Sequence, residues 1–323
     1  MIINEFEIIN NYFNHFKKKD KYIMKGIGDD CAILKIPKNK FLSVSTDTLV
    51  EGIHFLKTIN PIDLSYKALA VNLSDLAAMG ADPKWLTLSI TMPYINLKWI
   101  KYFSKNFIKL IYKNKMKLIG GDTTKGPLSI TISAYGLIPK GKALFRNGAK
   151  VGDLIYVTGT LGNSAAGLEL LTKKISITDK KIYNFLIKKH LRPVPRILQG
   201  KILRNIATSA IDISDGLIMD LNHILNASKC GATLNLDNFP ISKKLKNNFF
   251  KKKWINWALY CGEDYELCFT IPKKQKKKLD ELMKFSDVPY THIGNITPFK
   301  KGYQLLEFKK PIKLKKIGFN HFF

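Results

Sequence analysis

Residues 60–92 read NPIDLSYKALAVNLSDLAAMGADPKWLTLSITM. Asn60 and Pro61 open a helix, an Asn cap followed by a Pro suited to the first helical position. The helix continues through YKALAVNLSDLAAM and stops at Gly80, and WLTLSITM (85–92) predicts a strand. Just upstream, FLSVSTDT (41–48) alternates apolar and polar residues, as a half-buried strand does. Downstream, Asn96 caps a second helix whose Trp99, Ile100, Phe103, Phe107, Leu110 and Ile111 recur at helical spacing. Lys117–Ile119 then leads into Gly120-Gly121, and LSITISAYGLI (128–138) is a long alternating strand. The order βαβαββ predicts an α/β (mixed α+β) half.

The polar, Gly-rich passage PKGKALFRNGAKVGD (139–153) marks the domain boundary. It divides the chain into domains expected at 1–140 and 150–323. Two domains also suit 323 residues. In the second half, LIYVTGTLGNSAAG (154–167) reads as strand, loop and helix start. Helices are expected near 179–189 and 195–207, then a strand SAIDIS (209–214), a helix from Leu217 and a strand YELCFTI (265–271). A Lys-rich helix and two short strands complete the reading.

Composition is 46% hydrophobic and 24% charged, which excludes a collagen-like or wholly disordered chain. No run of about 20 apolar residues predicts a membrane span. The opening MIINEFEIINNYFNHFKKKD lacks the features of a secretory signal and is read as an amphipathic helix of a cytoplasmic protein. Cys31, Cys230, Cys261 and Cys268 form no C-x-x-C pair, so free thiols in a reducing cytoplasm are expected. Lys and Arg number 53 against 25 Asp and Glu, a formal charge of +28. Such a balance often marks nucleic-acid binding. Yet only Arg146, Arg192, Arg196 and Arg204 carry the planar fork suited to bases and phosphates. The excess is scattered Lys, read as surface composition, with nucleic-acid binding the alternative of a different class.

The acidic residues are sparse but gathered. Twelve of the 25 fall in six short blocks: Asp29-Asp30, Asp47 with Glu51, Asp75, Asp122, Asp212 with Asp215 and Asp220, and Glu263, Asp264 and Glu266. Each block alone reads equally well as a turn or a surface pair. Together, in turns rich in Gly, Ser and Thr, they suit a hard oxygen-seeking cation such as Mg²⁺, which takes one or two carboxylates plus phosphate oxygens and water. Gly26-Ile-Gly28, Gly120-Gly121 and Gly159-Thr-Leu-Gly162 would let backbone N–H groups approach anions. The Walker A, Rossmann and protein-kinase motifs are absent, as is G-x-S-x-G. What is left is phosphoryl transfer by a less common route. His54, following STDTLVEG, is the one histidine with a motif beside it. His15, His190, His223, His292 and His321 have none and are read as structural.

The blocks GIGDDCAIL, STDTLVEGIHF, YKALAVNLSDLAAMGADPKWLTLS, LIGGDTTKGPLSI, IDISDGLIMDL and GEDYELCFT, in this order, closely resemble bacterial thiamine-monophosphate kinases. These belong to the superfamily of aminoimidazole-ribonucleotide synthetase. The similarity runs from about residue 4 to the end. It implies a two-domain aminoimidazole-ribonucleotide synthetase-like architecture, with an N-terminal domain that dimerises through its sheet. It implies the reaction of ATP with thiamine monophosphate to give ADP and thiamine diphosphate, with several Mg²⁺ ions. Matched residue by residue, it implies Mg²⁺ at Asp30, Ser45, Thr46, Asp47, Asp75, Asp122, Asp212 and Asp215. Of these, Asp30, Asp75 and Asp212 are the expected catalytic carboxylates. ATP would meet Gly121, Asp122, Arg146 and Ser214, and the acceptor would meet His54, Glu263 and Phe319. A homodimer is expected, with no specific nucleic acid and no membrane as partner. Another ATP-dependent member of the superfamily, with a different acceptor, is the nearer alternative.

Overall fold

The computed structural model describes residues 5–14 and 20–312. The chain forms two compact units. One comprises the described residues up to Leu76 with Ala81–Gly141, and the other Ala77–Gly80 with the described residues from Lys142.

The first unit begins with a short helix, α1 (Glu5–Ile8), which widens into a π-helical stretch over Ile9–Phe13 rather than continuing as a regular helix. A small hairpin follows, β1 (Ile23–Lys25) and β2 (Ile33–Leu34), with the GIGDDCA turn at its tip. The main sheet is built from β3 (Lys40–Val50), β4 (Asp82–Met92), β5 (Lys117–Lys125) and β6 (Ser129–Pro139), in the order β3-β6-β4-β5. Between β3 and β4 runs α2 (Pro61–Ala78), and between β4 and β5 runs α3 (Leu97–Lys113). Both helices start where the sequence places them. Asn60 Oδ1 accepts the Asp63 N–H at 2.9 Å, and Asn96 Oδ1 accepts that of Trp99 at 3.0 Å. Each satisfies a donor that the first turn leaves without an intrahelical partner. The apolar face of α3 buries Ile100, Phe103, Phe107 and Ile111, while Leu64, Leu69, Leu73 and Leu76 anchor α2.

β3 and β6 pair antiparallel along their whole length, Lys40 opposite Pro139 through Val50 opposite Ser129. The connection β4–α3–β5 makes the one parallel pair of this sheet, as a helical crossover requires. β5 runs straight through Gly120-Gly121 to Lys125, farther than its sequence suggests. The glycines permit this. A Cβ on Gly121 would lie 1.9 Å from the Leu88 carbonyl oxygen on β4, where the β4–β5 register also shifts between Leu86 and Thr87.

The second unit holds a seven-stranded sheet in the order β13-β12-β9-β11-β7-β10-β8, antiparallel except for β12–β9. Its strands are β7 (Leu154–Thr158), β8 (Ser209–Asp212), β9 (Cys230–Asn235), β10 (Leu267–Ile271), β11 (Tyr290–Pro298), β12 (Tyr303–Glu307) and β13 (Lys310–Ile312). The helices are α4 (Asn163–Leu171), α5 (Lys180–Leu191), α6 (Ile197–Leu203), α7 (Leu217–Ser228), α8 (Lys243–Asn248), α9 (Lys251–Tyr260) and α10 (Lys276–Met283). β7 and β10 read as unbroken apolar runs because both their faces are covered. Ile155, Val157 and Cys268 pack into the cluster shared with α4 and α7, while Tyr156, Phe269 and Ile271 pack into the one shared with α10.

Three differences from the sequence reading stand out. β9, α8 and α9 carry weak periodicity and go unread. The helix expected at 195–207 is only Ile197–Leu203, after which the chain turns, with the Ile206 and Ala207 N–H groups both on the Leu203 carbonyl. Three strands rather than two follow the Lys-rich helix. Among the described residues, no helix is long and apolar enough to cross a membrane.

Candidate functional site

In the first unit the period of β3 sorts the STDT residues by face. Ser45 and Asp47 share one side with buried Leu49, and Asp75 reaches them from α2. Ser45 Oγ donates a short hydrogen bond to Asp75 Oδ2. Burial first, then the Asp75 charge and a hydrogen bond with it, pushes the Asp47 carboxyl up to about 7. Two carboxylates this close share a proton or recruit a cation. Thr46 lies on the opposite face, exposed, with its hydroxyl 2.8 Å from that of Ser133. Its side chain is therefore not brought to the Asp47–Asp75 pair.

A second group lines a cavity of ≈ 590 Å³ with Gly28, Asp29, Asp30, Gly121, Asp122 and Thr123 on its polar side, and Ile9, Phe13, Leu88 and Ile90 among its apolar residues. That volume is ordinary for a small-molecule site, roughly 300–1,000 Å³. Asp29 is tied to Lys25 at 2.7 Å, and that hydrogen bond lowers its pKa. Asp122 Oδ1 accepts the Thr123 N–H at 2.9 Å.

His54 sits in the turn that ends β3. Its Nδ1 accepts the Val50 N–H at 3.0 Å, so a neutral ring carries its proton on Nε2, a donor. The turn is braced from below. Lys67, fully buried on α2, donates from Nζ to the His54 carbonyl at 3.0 Å. No sequence pattern singles out Lys67, since it looks like one more polar residue of an amphipathic helix.

In the second unit two loops are laced together by their backbones. The Glu263 N–H donates to Ser214 O at 2.8 Å, the Tyr265 N–H to Ile213 O at 2.9 Å, and the Ile213 N–H to Glu266 O at 2.8 Å. A Cβ on Gly262 would lie 1.9 Å from the Ser214 carbonyl oxygen, so no other residue permits this approach. The lacing sets Asp212, at the end of β8, and Ser214 and Asp215 on the loop after it beside Glu263 on the other loop. Asp220 closes the first turn of α7, accepting the N–H groups of Asp215 and Gly216 at 3.0 and 3.1 Å. Burial, then the charges of Asp215 and Asp212, pushes it up to about 8 despite those two bonds. Asp220 thus belongs with the predicted pair, and its place in IDISDGLIMD is the signal for it. Arg146 is exposed, and its carbonyl accepts from Ser228 Oγ at 3.3 Å. Phe319, His15 and His321 lie outside the described residues.

The donors gathered in these clusters are carboxylates and hydroxyls, the ligand type of Mg²⁺. Among the described residues, no three His, Cys, Asp or Glu side chains close on one point. Mg²⁺ sites commonly have one or two protein carboxylates and are completed by phosphate oxygens and water. The residues present therefore fit such an ion.

Comparison with known proteins agrees with this chemistry. Residues 28–138 match the family "AIR synthase related protein, N-terminal domain", and residues 150–304 match "AIR synthase related protein, C-terminal domain". The thiamine-monophosphate kinase of Buchnera aphidicola subsp. Schizaphis graminum is 61% identical, with 100% of both chains covered. That of Escherichia coli (strain K12) is 51% identical over 100% of this chain and 99% of its own. Among solved structures, thiamine-monophosphate kinase from Stenotrophomonas maltophilia K279a superposes with a TM-score of 0.83 at 40% identity, covering 90% of this chain and 93% of that one. AaThiL complexed with AMPPCP and TMP gives 0.77 at 34%, covering 92% of each. E. coli HypE shares the fold, with a TM-score of 0.75 at 16% identity and 95% and 94% covered. Two AIR synthase related domains in tandem, and full-length identity of this order, establish that the chain belongs to the thiamine-monophosphate kinase family.

Proposed function

We propose that the protein transfers the γ-phosphoryl group of ATP to the phosphate of thiamine monophosphate, giving thiamine diphosphate and ADP, with Mg²⁺ as the metal. The acceptor oxygen is already anionic near neutral pH, so the reaction needs no strong base. The difficulty is to bring two polyanions into line, and positioning with charge neutralisation accomplishes most of the catalysis.

The observation that carries this reading is the state of His54. Its Nδ1 lone pair is committed to the Val50 N–H, which leaves a ring suited to donating from Nε2 to a phosphate oxygen. In that tautomer Nε2 is a donor suited to a phosphate oxygen and has no lone pair to take a proton. Lys67 fixes the turn that presents it.

The metal ligands in this reading are Asp30, Ser45, Asp47, Asp75 and Asp122 in the first domain, taken as 1–140, and Asp212 and Asp215 in the second, 150–323. Thr46 would contribute through its backbone, given where its side chain points. When bound, Mg²⁺ supplies positive charge and a template for phosphate oxygens. Asp30, Asp75 and Asp212 are the catalytic carboxylates. Gly121 and Asp122 at the cavity, with Arg146 and Ser214, bind ATP. Arg146 offers a planar fork to phosphate. Glu263 meets the cationic and N–H-bearing rings of the acceptor, a match of charge and donor, and Phe319 is assigned to the same ligand. The complex of AaThiL with AMPPCP and TMP supports the pair of substrates.

A homodimer formed through the first domain is supported by β3. It is an eleven-residue edge strand exposing Phe41, Leu42 and Val44, an edge that self-pairing would cover. Four free cysteines suit a reducing cytoplasm. The deciding experiment is ADP release with thiamine monophosphate against free thiamine at matched concentrations. Turnover with the first and none with the second is expected. Comparable turnover of free thiamine would refute the acceptor assignment.

A further inference from the structure

The sequence reading sets His190 aside as structural, and nothing in the mechanism above uses it. Its surroundings argue otherwise. His190 lies near the end of α5 and is 3% exposed. Its Nδ1 is 3.4 Å from Glu263 Oε2 and 3.1 Å from Ser164 Oγ. Close packing of α5 on α4 brings it there. A Cβ on Gly167 would lie 2.3 Å from the Leu186 carbonyl oxygen and 3.0 Å from the His190 Cβ.

The neighbours of Glu263 along the chain are held separately. Asp264 accepts the N–H groups of Gly162 and Ser164 at 2.6 and 3.2 Å. Glu266 is gripped by both Nε and Nη2 of buried Arg196, and it accepts from Thr158 Oγ1 at 2.7 Å. Glu263 and Tyr265 both adopt left-handed backbone, φ 65° and 51°, which non-glycine residues seldom do without reason. Main-chain and side-chain anchors thus fix the loop on both sides of Glu263. The Glu263 side chain is 28% exposed. Its carboxylate projects from a rigid support, and His190 touches it.

We infer that His190 is a positioning residue, whose Nδ1–H holds the Glu263 carboxylate in the orientation that receives the acceptor and so sets acceptor affinity. This rests on the assignment of Glu263 to the acceptor. Nδ1 is flanked by the Ser164 hydroxyl at 3.1 Å and the Glu263 carboxylate at 3.4 Å, and a ring protonated at Nδ1 donates towards both. A purely structural histidine would serve the packing of α4 and α5 and leave both substrates equally affected when replaced.

The test is a double-mutant cycle with His190→Leu and Glu263→Gln, read as kcat and KM for each substrate by coupled ADP release, with melting temperature alongside. His190→Leu is expected to raise KM for thiamine monophosphate about tenfold, the usual order for a lost hydrogen bond to a charged group, with KM for ATP unchanged. In the Glu263→Gln background the same change should add nothing, because the two act as one unit. His190→Asn keeps an N–H near the place of Nδ1 and should restore KM to within about threefold of wild type. If His190→Leu does not fold, His190→Gln takes its place in the cycle. Its N–H sits near the place of Nε2 instead, and the same rise is expected. Additive effects, an unchanged acceptor KM, or equal changes for both substrates would overturn the inference. Inactivity of the wild-type protein with thiamine monophosphate would overturn the reading beneath it, and shows before any variant is compared.

Discussion

At the scale of single residues, like charges are packed together between β3 and α2. Asp75 is the residue that does most of this. It takes the Ser45 hydroxyl, and its charge helps raise Asp47 to about 7. Asp75→Asn keeps an oxygen to accept from Ser45, so the fold should survive with little change in melting temperature. Turnover should fall at least about 100-fold, as on removing an electrostatic group aimed at the transition state. A folded variant with near-normal turnover would remove Asp75 from the site. Residues of this kind were visible in the sequence because they stand in Gly- and Ser/Thr-rich turns of an otherwise basic chain. Lys67 and His190 were not visible. Each makes its tertiary contacts from a helix whose local pattern any polar residue would satisfy. Thr46 shows the converse, since a motif names it while strand alternation turns its side chain away.

At the scale of elements, the strongest local signals produced the most legible pieces. α2 and α3 have Asn caps with measurable bonds and dense apolar faces, and their beginnings are as the sequence predicts. β9 and α9 escaped because Cys230–Asn235 is short and KKKWINWALY mixes charge and aromatic residues without clear period. α4 offers a test of its own. Gly162 stands before its first residue with φ 82° and has no side chain to cap it. Asp264 supplies the missing acceptor from across the fold, and burial pushes its carboxyl up to about 7 against the pull of those N–H groups. The folded protein therefore holds a proton there that the unfolded chain, with its ordinary carboxylate near 4, has released. Stability contributed by that proton is present at low pH and is lost as pH rises from about 4 to about 7. Asp264→Asn keeps an acceptor and abolishes the titration. Its melting temperature should fall less between pH 5 and 7 than that of wild type. Identical slopes would show that Asp264 is ionised throughout.

At the scale of the whole molecule, the +28 charge is the feature most open to misreading. Several lysines lie over aromatic rings, as Lys244 does over Phe185 at 4.5 Å and Lys251 over Phe308 at 5.1 Å. Their ammonium groups sit over the ring faces, a cation–π contact within the protein's own surface. This is how a surface accumulates lysine without acquiring a ligand. Non-specific DNA affinity at physiological salt should be no tighter than about 10⁻⁴–10⁻⁶ M and should fall steeply with added salt. Nanomolar binding there would give the charge a role. Fold class was legible at this scale because strand–helix–strand order survives without any side-chain detail. The sheet order in the second unit was not, since β9 and β11 pair across long stretches of chain that carry no local mark of their partner.

One feature of α2 reaches beyond chemistry. The same helix carries Lys67, which seats the His54 turn, and Asp75, which meets Ser45 and Asp47. Eight residues of helix separate them by about 12 Å along the axis. α2 is thus a ruler between the His54 turn and a carboxylate pair. A single residue inserted or deleted between positions 67 and 75 would rotate one mark against the other by about 100°, and no side-chain adjustment could restore both. Length variation among descendants of this sequence should accordingly be barred from that segment.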